Sequence, residues 1–152
     1  MEWTEVIDNP LLQDLPFKIE LNKWGKILMT PASNNHGNLQ FKIGDIIHRA
    51  KHNGEIIMEC SVNTPMGVKV ADVAWASDEF IVQYGFSTPY EVAPEICVEV
   101  ISPSNSKKEM DEKIRLYLNQ GAKEVWLCNQ EMEISYYSPA GRIERSREIE
   151  KR

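Results

Sequence analysis

Glu95-Ile96-Cys97-Val98-Glu99-Val100-Ile101 is an almost continuous β-branched run with one charge inside it, Glu99. Such a run predicts a strand buried on both faces, central to a sheet. Ser102-Pro103-Ser104-Asn105 ends it. Ser106-Lys107-Lys108-Glu109 is a capping box, and the helix it opens runs to Gln120, with Gly121 at the C-terminal cap. Glu124-Val125-Trp126-Leu127-Cys128 and Glu133-Ile134-Ser135-Tyr136-Tyr137 then read as two more strands.

Working back toward the N-terminus, residues 55–62 and 67–76 are β-rich, and residues 78–84 suggest a helical turn. Leu39, Ile43, Ile46, Ile47 and Ala50 lie at helical spacing, with Ser33 or Asn34 as the N-cap and Asn53-Gly54 as the stop. Phe17-Lys18-Ile19-Glu20-Leu21 alternates, as a half-buried strand does. After the turn signal at 22–25, residues 26–30 return as a hairpin stopped by Pro31. Residues 1–15 are a lead-in that lays Leu11, Leu12 and Leu15 on the body, and 139–152 are a charged tail. The expectation is one domain over 1–152, with its core at 16–138. Its class is α/β (an α+β mixed sheet), with helices packed on the sheet.

The composition agrees. The chain has 152 residues, 42% apolar and 26% charged, which excludes disordered, collagen-like and disulfide-scaffold classes. Seventeen basic against 23 acidic residues leave a net charge of −6, and the pI is near 5.1, so bulk charge does not coat nucleic acid. A local basic groove remains open, with Lys107, Lys108, Arg115 and Lys123 as its candidates. No apolar stretch approaches a membrane span, and the first residues lack a signal-peptide pattern. Cys60, Cys97 and Cys128 are odd in number and widely spaced, as reduced core thiols of a cytoplasmic protein are.

Two carboxylates sit where carboxylates are expensive. Asp72 interrupts Val68-Lys69-Val70-Ala71-Asp72-Val73-Ala74-Trp75, and Glu99 interrupts the central run. A charge inside a buried strand costs several kcal/mol unless it is paired or holds a metal. Adjacent strands would bring both acids to one sheet end, an oxygen site of the kind Mg²⁺ or Mn²⁺ prefers. Such a metal polarises a phosphoryl oxygen and activates water. Structural salt bridges are the plain alternative. Lys113 flanks the apolar stripe Met110, Ile114, Tyr117 and Leu118. It either bends toward Glu99, to orient or deprotonate water, or snorkels at the surface. His36 reads as a general base, a phosphate donor or a surface residue at a helix start. Glu20 faces solvent on alternation. Ser102, Ser104 and Ser106 lack a nucleophile elbow, so no serine nucleophile is inferred.

These blocks form a known order: residues 17–22 and 25–37, Val70-Ala71-Asp72-Val73-Ala74-Trp75, residues 93–105, Glu112-Lys113, Tyr117-Leu118 and residues 121–127. Together they resemble the Uma-type endonuclease family, abundant in cyanobacteria and long known as a domain of unknown function. It lies within the PD-(D/E)XK nuclease superfamily. The resemblance covers about residues 15–138. It implies a restriction-endonuclease-like fold, a central mixed sheet flanked by helices, with Mg²⁺ or Mn²⁺ at the strand ends. Asp72 matches the first acid of the motif and Glu99 the second. The motif lysine would fall at Ile101, and Lys113 on the next helix takes the matching place. Glu20 and His36 fall on recurring family positions, as metal-shell or substrate-contacting residues. Ser102 belongs to the turn at the site's rim.

The function expected from this is divalent-metal-dependent hydrolysis of DNA phosphodiesters, with Asp72, Glu99 and Lys113 catalytic and the two acids holding the metal. A homodimer is the expected assembly, because many nucleases of this fold cut two strands as dimers, and no membrane is involved. The rival is a non-catalytic nucleic-acid- or protein-binding module on the same fold. Convergence of Asp72, Glu99 and Lys113 on one point favours chemistry. A Lys113 that points to solvent favours binding.

Overall fold

A computed structural model describes residues 1–15 and 17–150, so the expected core boundary at Pro16 and the last two residues of the tail lie outside the described residues. The elements are α1 (Trp3–Asp8), β1 (Phe17–Leu21), β2 (Ile27–Pro31), α2 (Asn34–Ala50), β3 (Glu55–Thr64), β4 (Gly67–Ala76), α3 (Asp78–Tyr84), β5 (Ile96–Val100), α4 (Lys107–Asn119), β6 (Glu124–Cys128), β7 (Ile134–Ser138) and β8 (Gly141–Ile143). A short 3₁₀ turn, Pro10–Leu12, follows α1. β3 to β8 form one sheet in chain order, antiparallel except for β5–β6, which is parallel. β1 and β2 form a separate antiparallel pair.

β5 is buried at every residue, as its β-branched run requires. A parallel neighbour needs a crossover, and α4 supplies it between β5 and β6. Met110, Ile114 and Tyr117 of α4 cover Cys97, Val125 and Leu127 on one face of the sheet. Leu39, Ile43 and Ile47 of α2 cover Val73, Trp75, Ile96, Val98 and Trp126 on the other. Each such aliphatic side chain contributes about 1.5–3 kcal/mol when fully buried. Both helices start where a serine accepts the free N–H groups: Ser33 Oγ from His36 N–H at 3.0 Å, and Ser106 Oγ from Glu109 N–H at 3.1 Å. The three cysteines are buried and free.

The β1–β2 hairpin docks on the outer half of β4. Ile19, Ile27 and Leu21 pack with Val68 and Val70, and Trp3 and Val6 of α1 close that small core. Gly67 makes the approach possible, because its φ of +101° suits glycine and a side chain there would strike the Leu21 carbonyl.

The two ends of the chain differ from expectation. Leu11 is 83% exposed, while Leu12 packs on the small core as expected; Trp3 and Val6 supply the buried anchors of the lead-in, because the α-helical turn forms before Pro10 and only a 3₁₀ turn follows it. The charged tail is folded as far as it is described. It contributes β8 and buries Ser146 and Glu148. The reason is Glu124, buried at the start of β6, whose carboxylate accepts from Ser146 Oγ at 2.6 Å and from the N–H groups of Arg147 and Glu148 at 2.8 and 3.0 Å. Among the described residues, no helix is long and apolar enough to cross a membrane.

Candidate active site

The β4–β5 ladder pairs Trp75 with Ile96, Ala74 with Cys97 and Val73 with Val98, and there it stops. The next pair in register would be Asp72 and Glu99. Asp72 instead takes the buried N–H of Val100 on its own Oδ2, at 2.7 Å. A side-chain acceptor thus replaces a backbone one, and both acids emerge where the ladder ends.

The ladder is also broken on the other flank of Asp72. Met58 pairs with Val73 and Cys60 with Ala71, while Glu59 between them has a φ of +54° and faces Asp72 unpaired. A left-handed non-glycine residue costs roughly 1–2 kcal/mol. Gln40 of α2 fills the gap, because its Nε2 donates to the Asp72 carbonyl at 2.7 Å and to Glu59 Oε1 at 2.9 Å.

Five charged side chains meet at this break. Lys18 Nζ of β1 donates to Asp72 Oδ1 at 3.1 Å and to Glu99 Oε1 at 3.0 Å. Lys113 Nζ of α4 donates to the same Glu99 Oε1 at 3.0 Å and to Glu20 Oε2 at 2.9 Å. Glu20 is fixed in turn by the Val70 N–H at 2.7 Å. Tyr117 OH donates to Glu99 Oε2 at 3.1 Å, and His36 Nε2 lies 3.2 Å from Asp72 Oδ1. Two ammonium groups therefore face three carboxylates, with the imidazole at the edge. Asp72 and Glu99 are 1% and 3% exposed, Lys18 and Lys113 only 10% and 15%.

The electrostatics separate the acids. Burial works to raise the Asp72 pKa, but Lys18, His36 and the Val100 N–H outweigh it and bring the carboxyl down to about 2. Glu20 is lowered the same way, with Lys113, Lys18 and the Val70 N–H overcoming its burial. Glu99 goes the other way. Its burial, with Asp72 and Glu20 beside it, wins over Lys113 and Lys18, and its pKa is raised. Burial works to lower both lysines, yet the carboxylates around them hold both above the ordinary lysine value. His36 is raised by its bond to Asp72.

The structure thus brings Asp72, Glu99 and Lys113 together. It places His36 against Asp72 and Ser102 at the rim, bonded within its own turn: Ser102 Oγ lies 2.8 Å from Ser104 Oγ, and the Ser102 N–H donates to Asn105 Oδ1 at 2.9 Å. Glu20 corrects the alternation reading. The polar face of β1, carrying Lys18 and Glu20, turns inward to the charge cluster, because that cluster satisfies it. Lys18 and Tyr117 were not singled out by the sequence. Two opposite charges at i and i+2 on one strand face, Lys18 and Glu20, were the available signal.

Among the described residues, no three His, Cys, Asp or Glu groups form a ready-made metal cage. Asp72 and Glu99 nonetheless supply the hard oxygens that Mg²⁺ and Mn²⁺ prefer, and Mg²⁺ usually takes only one or two carboxylates. The two acids already share one cation, the Lys18 ammonium. The donor set fits a divalent ion, provided that this ammonium gives way.

The family model described as "putative restriction endonuclease", Uma2, matches residues 10–151. The chain belongs to the Uma2 family. Among solved structures, a protein of Anabaena variabilis titled a putative nuclease belonging to DUF820 superposes with a TM-score of 0.67 at 19% identity, covering 80% of this chain and 72% of that one. That likeness shows the fold: a mixed sheet flanked by helices, as the sequence led us to expect. No curated protein matches the chain. The family and the fold point to a restriction-endonuclease-like nuclease.

Proposed function

We propose that this Uma2 protein is a divalent-metal-dependent endonuclease that hydrolyses DNA phosphodiesters at the Asp72–Glu99 end of the sheet. One observation carries the reading. Two buried carboxylates from neighbouring strands emerge side by side where their ladder breaks, and share a cation between them. Asp72 and Glu99 would hold Mg²⁺ or Mn²⁺, which when bound supplies Lewis-acid polarisation of the phosphoryl group.

The protein's own groups do the rest. Water adds to phosphorus, one P–O ester bond breaks, and the leaving oxygen ends with the proton that the water gives up. Lys113, held between Glu20 and Glu99 at hydrogen-bond distance, serves as a donor. It orients water and offsets the negative charge that gathers in the transition state. Glu20 positions Lys113, and Tyr117 positions Glu99. His36, held against Asp72, stands at the edge where the backbone of a substrate would pass. Lys107 and Lys108 are exposed at the start of α4, just beyond the rim turn at 102–105, and suit a flanking phosphate, whereas Lys123 lies at the opposite end of β5, its N–H on the Glu95 carbonyl.

A second reading, a nucleic-acid- or protein-binding module without catalysis, is favoured by the size of the opening. The cavity over the acids is about 40 Å³, room for water but not for a nucleotide. Incubation of wild type and Asp72→Asn with double- and single-stranded DNA and RNA, in Mg²⁺ and in chelator, tests both. Metal-dependent cleavage of DNA by wild type alone supports the nuclease. Retention of DNA with no cleavage in any metal favours the module.

A further inference from the structure

We propose that Lys18 is a movable counter-ion. It rests between Asp72 and Glu99, and shifts to Glu59 when a divalent cation takes the acid pair. This rests on the reading of that pair as the metal-holding acids, and adds a residue and a motion to it.

The two lysines of the cluster are held differently. Lys113 has one anchor outside the pair, Glu20, itself fixed by the Val70 N–H. Lys18 has none: its hydrogen-bonded partners are Asp72 Oδ1 and both oxygens of Glu99, the two acids that would hold the metal. A cation arriving there meets an ammonium already in place. The ion and the Lys18 ammonium compete for the same two acids, and the ammonium, on its flexible stem, is the one that can withdraw.

The structure gives Lys18 somewhere to go. It lines a second, larger cavity of about 490 Å³ between α1, β1 and α2, whose wall also carries Glu59. Glu59 is the acid directly across β3–β4 from Asp72, and its left-handed backbone leaves it outside the ladder. Its carboxylate is steadied by Gln40, which also holds the Asp72 carbonyl. The remainder of that cavity is lined mainly by apolar residues such as Trp3, Leu12 and Phe17, so Glu59 is the one carboxylate among the described residues that line it. β1 belongs to a sheet of its own, so the lysine's path breaks no ladder to the main sheet. A flexible four-carbon stem covers the change without moving the strand.

Calorimetric titration of Mn²⁺ into wild type, Lys18→Met, Glu59→Gln and the double variant tests this, with thermal melts to confirm folding. Lys18→Met should bind Mn²⁺ at least about tenfold more tightly than wild type, because the competitor is gone. Lys18→Arg, which keeps the charge, should not, and Lys18→Gln replaces the Met variant should that one fail to fold. Glu59→Gln should weaken Mn²⁺ binding in wild type and have no effect beside Lys18→Met, since it acts only by receiving the lysine. Unchanged or weaker binding by folded Lys18→Met, with binding still abolished by Asp72→Asn, overturns the counter-ion while leaving the metal site standing. An equal effect of Glu59→Gln in both backgrounds removes Glu59 as the receiver. No Mn²⁺ binding by wild type or Lys18→Met overturns the metal reading itself, and this proposal with it.

Discussion

Glu99 and Glu124 are both buried glutamates in neighbouring central strands, and they are satisfied in opposite ways. Glu124 accepts from four neutral donors: the Trp126 indole N–H, the Ser146 hydroxyl and the backbone N–H groups of Arg147 and Glu148. Three of these donors come from the irregular segment after β8, so the carboxylate works as a clasp for residues 146–148. Glu99 is held by two ammonium groups and a phenol. Ammonium groups on long stems can be exchanged for another cation; backbone amides cannot. A buried acid's partners, more than its burial, distinguish a structural clasp from a site prepared for chemistry.

That contrast is broken or sharpened first by variants at the two positions. Glu99→Gln and Asp72→Asn should lower DNA cleavage by at least about a hundredfold, the scale of losing one preorganised electrostatic group. Glu124→Gln, assayed on the same substrate, should leave the rate per folded molecule unchanged. The second effect runs the other way. Glu124→Ala leaves several buried donors without an acceptor and should cost about 3 kcal/mol in a denaturant melt, or about 10 °C in Tm. Lys113→Met comes third. About a tenfold loss of rate is expected, with Lys113→Arg recovering part of it, since a charge at this place is needed more than a given shape.

The smallest effect is the pH dependence of stability. Asp72 has a folded pKa of about 2, below its ordinary value, so its contribution is fully present above pH ~4 and is lost as pH falls toward 2. Glu99, raised in the fold, works in reverse: the native state holds its proton more tightly, so this group favours folding less as pH rises through its folded pKa. The two oppose each other, and wild type should show a shallow acid slope. Asp72→Asn should reduce the loss between pH 4 and 2, leaving the share of Glu20, which is lowered in the same direction, as read by denaturant melts across that range.

Much of the fold was legible, because apolar periodicity reports burial directly. The β5 run, the Ser106 cap and the α2 stripe each led to the element the structure shows, although the Glu109 carboxylate takes Asn105 Nδ2 where a full capping box would take the Ser106 N–H. The acids were legible for a related reason: a charge in an apolar run is out of place and draws notice. Lys18 was not, and Glu20 only through the family resemblance, because β1 alternates and alternation says only that two faces differ. It does not say which face is buried when the polar one meets opposite charge. The Glu59 conformation left no trace in composition. The folded tail was hidden because its acceptor, Glu124, opens a strand more than twenty residues earlier.

The most direct test of the central claim is Mn²⁺ calorimetry on wild type, Glu99→Gln and Glu124→Gln, all confirmed folded. Binding by wild type and Glu124→Gln but not by Glu99→Gln is the expected result. Equal binding by all three would place the ion elsewhere and contradict the assignment of Asp72 and Glu99 as the metal-holding pair.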